Sequence, residues 1–151
     1  MRTYLVVIDE TRESETALLF ASRRAAKTGG AVHILAFAPP PEFSQWGGVQ
    51  ATMEAEARDR AEALVMSAAS RIMGESGIRP KITVRLGDAV QAVRQTLEEE
   101  PDTAALVLGA AAKGSPGELV VHFTGTDSGT LPCPVMVIPG SLDREAIERL
   151  S

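Results

Sequence analysis

Apolar residues in this chain follow two alternating periods. Tyr4-Leu5-Val6-Val7-Ile8 is an unbroken apolar run of β-favouring residues, the pattern of a strand covered on both faces. Ala17, Leu18, Ala21 and Ala25 then recur at helical spacing. Thr11 or Ser14 can cap that helix, and Gly29-Gly30 ends it. Ala31 to Phe37 reads as a second strand. Pro39 to Gly48 is punctuated by proline and glycine and reads as a loop, with Phe43 and Trp46 marking it as packed rather than free. The longest helix follows, with Met53, Ala57, Ala61, Leu64, Val65, Ala68 and Ile72 on one stripe and Gly74 and Gly77 closing it. Ile82 and Val84 alternate with polar residues, as in a short third strand at a sheet edge. Gly87-Asp88 makes a turn and a cap for a helix lined by Val90, Val93 and Leu97. Glu98-Glu99-Glu100 places acids at that helix's C-terminus, against the dipole, so this end is expected to fray. Ala104 to Leu108 and Val135 to Ile138 are the fourth and fifth strands, separated by a glycine-rich loop and a short helix. A last helix is expected after a cap at Ser141. Strands alternating with helices predict an α/β chain, three layers in one domain over residues 1–151, with a parallel sheet and right-handed crossovers.

Composition refines this picture. Aromatic residues are only 4% of the chain, so the core must be built from aliphatic side chains. A net charge of −5 without a basic cluster argues against nucleic acid as a partner. No run approaches the ~18 apolar residues that span a bilayer, and the N-terminal run is too short for a secretory signal; the expected location is the cytoplasm, with no membrane partner. Cys133 is the lone cysteine, which excludes a disulfide framework and a cysteine-based metal site.

Four segments in order carry a family resemblance. Asp9-Glu10-Thr11-Arg12-Glu13-Ser14-Glu15-Thr16-Ala17-Leu18 resembles the first strand–helix junction of universal stress proteins, D-G-S-x-x-S-x-x-A-L, with Glu10 where glycine is usual. Leu86-Gly87-Asp88-Ala89 resembles that family's turn before its third helix. Asp102 to Gly109 resembles its D-x-I-V-x-G strand, and Pro132-Cys133-Pro134-Val135-Met136-Val137 its P-C-P-V-x-V final strand. The resemblance covers essentially the whole chain. It implies a five-stranded sheet in the order 3-2-1-4-5, a stress-response role without enzymatic activity, and adenine nucleotides (AMP, ADP or ATP) as ligand, with no metal. It also implies a homodimer paired through the fifth strand, whose short apolar edge would otherwise be a pairing hazard.

The family's nucleotide pattern after the fourth strand is G-x-x-G, nine residues, then G-[ST]. Gly109 fits the first glycine, but Ala112 stands at the second. A gap-free count back from Pro132 puts Val121-His122 near the final pair, whereas an insertion puts Gly125-Thr126 there. Two readings of Gly109 to Gly117, including Gly114 and Ser115, remain open. Glycines beyond a strand end can turn backbone N–H groups toward phosphate, or the segment is a tight structural turn. It is not a Walker loop, because Lys113 precedes Gly114 rather than following it. Ala112 would hinder close backbone approach. The broken pattern, one loop cation and the nearby acids predict weak or absent nucleotide binding.

By the resemblance, Asp9 would face the ribose and Phe37 the adenine. Their plain readings are a helix-capping carboxylate and a core aromatic. His33 reads as an ordinary strand residue; His122 draws notice only because it can face the loop; Cys133 reads as a buried inert thiol. Adenylyl-transfer signatures of the H-x-G-H or K-x-S-K-S type are absent. A phosphoacceptor receiver lacks its Asp after the third strand and its Lys after the fifth. Two classes survive: an adenine-nucleotide signalling module, and a ligand-free dimer acting through protein contacts.

Overall fold

A computed structural model describes residues 1–38 and 47–151 of the chain, the side chains of 47–50 excepted. The expected loop at 39–46, with Phe43 and Trp46, lies outside the described residues. Elements follow in the order β1 (Thr3–Val7), α1 (Arg12–Thr28), β2 (Ala31–Ala38), α2 (Gly47–Ser76), β3 (Lys81–Leu86), α3 (Ala89–Glu99), β4 (Thr103–Ala110), α4 (Glu118–Thr124), β5 (Val135–Pro139) and α5 (Arg144–Leu150). All four strand pairs are parallel, and the sheet runs β3-β2-β1-β4-β5, as the sequence predicts.

The unbroken apolar run of β1 is explained by its two faces. Tyr4, Val6 and Ile8 enter one core with Ala17, Ala21, Val65, Ile72 and Ile147, beneath α1, α2 and α5. Leu5 and Val7 enter a second core with Val93, Leu97 and Phe123, beneath α3 and α4. β4 splits likewise, Ala105 and Val107 to the first face, Leu106 and Leu108 to the second. A period of two along each strand thus supplies both cores, and the sheet is the wall between them.

Several local expectations need correction. Gly47 and Gly48 open α2 rather than ending the preceding loop. Met53 departs from the buried stripe of α2 and is 40% exposed. Thr11, not Ser14, caps α1: its Oγ1 accepts from the Ser14 N–H at 3.3 Å, while Ser14 is buried. Asp143, not Ser141, caps α5, its Oδ1 accepting from the Ala146 N–H at 2.8 Å. Ser141 instead falls within the turn closed by Leu142 N–H on the Pro139 carbonyl. The acidic end of α3 is held where fraying was expected: Glu99 and Glu100 pair with Arg85 and Lys81 of the edge strand β3, which supplies the positive charge the helix end lacks.

Candidate functional site

The carboxyl ends of β1 and β4 lie side by side, where open α/β sheets hold their ligands. A cavity of about 260 Å³ opens there, and Asp9, Phe37, Gly109 and Gly117 all line it. A larger one of about 520 Å³ adjoins it toward α2 and shares Asp9, Thr11 and Phe37. Ala112, Gly114 and Ser115 sit in the exposed loop beyond, and Gly125 and Thr126 are exposed at the far end of α4. The structure therefore brings four of the nine sequence-predicted site residues together.

Asp9 reaches the cavity because the chain breaks from β1 immediately before it. Its Oδ1 accepts the Thr11 N–H at 2.8 Å and also the Thr11 hydroxyl, and Thr11 in turn caps α1. The carboxylate is thus tied to the helix cap at one remove, by way of Thr11. Ser14 fixes the backbone: its hydroxyl accepts the Asp9 N–H at 3.2 Å and lies 2.9 Å from the Thr11 carbonyl. Phe37 is half-buried, packed on the second core while lining both cavities, so its two sequence readings describe one position.

Gly109 has a packing reason of its own. A Cβ there would lie 2.0 Å from the carbonyl oxygen of Glu13, so only glycine lets the first turn of α1 cross β4 this closely. Past Gly109 two of the loop's amides bond within the loop. Ala111 N–H donates to the Pro116 carbonyl at 3.1 Å, and Gly117 N–H to the Ser115 hydroxyl at 3.4 Å. Ala112 has no left-handed conformation to relieve; Gly114 and Gly117 carry the positive φ, at 74° and 119°. Gly117 heads α4 directly and is followed by Glu118. Of the two placements of the final pair, Gly125-Thr126 falls at the C-terminal end of α4 and Val121-His122 within it.

Charge decides what the cavity can hold. Asp9, Glu13 and Glu118 line the smaller cavity and no basic side chain does. Glu118 sits in the first turn of α4, where the chain's own carboxylate occupies the position that favours an anion. The larger cavity adds Glu10 and Glu56 against one cation, Arg60. Among the described residues no cluster of His, Cys, Asp and Glu suits a metal ion, and no helix is long and apolar enough to cross a membrane.

His122 does not face this loop. It pairs with Asp127, which also receives Arg94 of α3, and its ring meets Phe123 edge-on at 5.0 Å. Burial pushes the Asp127 carboxyl up, but the hydrogen bonds from His122 and Arg94 outweigh it and hold the group below the usual carboxylate range. Sequence reasoning missed this cluster, because its members are brought together only by the packing of α3 on α4. His33 is buried with Nε2 at 2.7 Å from the Thr83 hydroxyl. Cys133 is half-buried, and burial raises its thiol above the usual range against a hydrogen bond with the Leu106 backbone.

Comparison with known proteins fits this architecture. The universal stress protein family model matches residues 1–139. Universal stress protein UspA from Lactobacillus plantarum superposes with a TM-score of 0.71 at 15% identity, over 91% of this chain and 97% of that one. The Archaeoglobus fulgidus universal stress protein in complex with dAMP gives 0.64 at 16% identity, over 91% and 98%. An Arabidopsis thaliana universal stress protein family protein with AMP bound gives 0.60 at 13% identity, over 92% of each. No curated protein matches the chain in sequence. With the family model spanning all five strands and the strand order in agreement, the chain belongs to the universal stress protein family.

Proposed function

We propose that this chain is a stress-response module of the cytoplasm that works as a homodimer and holds adenine nucleotides weakly or not at all. The observation that carries the reading is the cavity at the ends of β1 and β4. It keeps Asp9, Phe37 and Gly109, yet its lining includes three acidic residues, Asp9, Glu13 and Glu118, and no basic one. Its loop amides at Ala111 and Gly117 are engaged within the loop. A triphosphate there would meet like charge and few free donors. No nucleotide turnover is expected. The second reading, a nucleotide-dependent signalling module, draws on the solved relatives that carry AMP, dAMP or cAMP. Calorimetric titration with ATP, ADP and AMP, beside an Asp9→Ala variant, separates the two. Tight binding that Asp9→Ala abolishes would establish the second reading.

Dimerisation rests on β5. Among the described residues it pairs with β4 alone, and Val137 is 37% exposed on it. Such an edge is a template for a second strand. Light scattering should show a dimer that Val137→Lys disrupts; a monomer at micromolar concentration would end this part of the reading.

A further inference from the structure

We propose that the β1–β4 cavity is a site for an uncharged nucleoside, adenosine in the first instance, and that it rejects the 5′-phosphorylated forms. This rests on reading the cavity as an adenine-type ligand site and goes further by naming the charge state it selects. Charge leads to this conclusion, while the cavity of about 260 Å³ and the adjoining one of about 520 Å³ leave room for a base and a sugar.

Its chemistry fits those two parts. Phe37 and the aliphatic ends of β1, β4 and α4 offer an apolar wall for a heterocycle, and Phe37 a face to stack on. Asp9 offers a carboxylate that accepts from sugar hydroxyls, its Oδ1 already oriented by Thr11. Beyond the sugar the wall turns anionic. Glu13 crosses directly over Gly109, and Glu118 opens α4 beside Gly117. Neither forms an ion pair among the described residues, so neither charge is neutralised within the fold. Hydroxyl groups can donate to these carboxylates, whereas a phosphate carries only like charge toward them.

The test is calorimetry of the full chain with adenosine and with AMP, at low salt and at about 0.5 M salt. Adenosine should bind about tenfold or more tightly than AMP at low salt, and the gap should narrow as salt screens the repulsion. In a Glu13→Gln/Glu118→Gln variant, checked for an unchanged melting curve, AMP should gain about tenfold while adenosine changes little. AMP binding as tightly as adenosine to the native chain would overturn the proposal, as would an unchanged ratio in the variant. If neither compound binds the native chain or the variant, the ligand-site reading falls with it. Tight AMP binding that weakens with salt would overturn only this inference and leave a nucleotide site standing.

Discussion

Lowering the pH from 7 to 5 should remove about 2 kcal/mol of stability through His33 alone. The ring is buried within the sheet, and burial is the main reason its pKa falls from 6.5 to about 4; Lys81 and Arg85 push the same way and Glu100 opposes them. Between those two values the unfolded chain binds a proton that the folded chain refuses. Stability is therefore fully present above the unfolded pKa and drains away as pH falls toward 4. The slope approaches about 1.4 kcal/mol per pH unit, and the loss reaches roughly 3 kcal/mol near pH 4. The carboxylates of Glu99, Glu100 and Asp127 titrate below their ordinary values. They stay ionised in both states over most of this window and contribute little to the slope, and comparison with a His33 variant separates His33 from the second histidine, His122. Urea denaturation at fixed protein concentration, at pH 7, 6 and 5, gives the slope directly. His33→Gln keeps a polar partner for the Thr83 hydroxyl and removes this titration, so over the same interval the native protein should lose about 2 kcal/mol more than the variant. An equal slope in native protein and variant would refute the argument.

Three further outcomes follow from packing. Gly109→Ala should destabilise the fold by about 3 kcal/mol or more as α1 is pushed off β4, since its Cβ would overlap the Glu13 carbonyl; a melting temperature within a degree of the native value would contradict the close crossing. Phe123→Ala should cost about 3–5 kcal/mol, because Phe123 is fully buried in the second core, and denaturant midpoints measure it. Cys133 should react slowly with a thiol reagent at pH 8 and rapidly after unfolding, since burial raises its thiol pKa; a fast native reaction would contradict that.

The strands were legible because double-sided burial writes continuous apolar runs, as in residues 4–8, and the edge strand β3 writes alternation instead; their order came from the family resemblance. Caps were legible only in part. Asp88 caps α3 as expected, with Gln91 N–H at 2.9 Å, whereas the choice of Thr11 over Ser14 and the shift of the α5 cap from Ser141 to Asp143 were settled by turn geometry that no local pattern encodes. The candidate site was half legible. Asp9, Phe37 and Gly109 follow from their places at strand ends, but Gly117 is the head of α4 because the loop is short, and loop length shows itself only when the helix start is known. Gly109 was read for a ligand, yet its first constraint is the backbone of Glu13, a contact across almost a hundred residues of chain. For the same reason the acids Glu13 and Glu118 could not be placed on one cavity from sequence.

The order β3-β2-β1-β4-β5 also sets a schedule for folding. β1 meets β2 only 28 residues along, as in Val7 with Leu35, while its other edge waits for β4, about a hundred residues later, as in Val6 with Val107. Short-range pairing can assemble the first three strands as a unit well before that second edge closes. Asp9 and Gly109 stand on opposite sides of this late seam. The cavity consequently has no partial form: half of it arrives with the last major docking event. A molecule that fits there can recognise only the completed chain, and its binding energy is added to the one step that joins the two halves. In hydrogen exchange such a ligand would slow the opening of the β1–β4 seam and leave fluctuations inside the early half untouched.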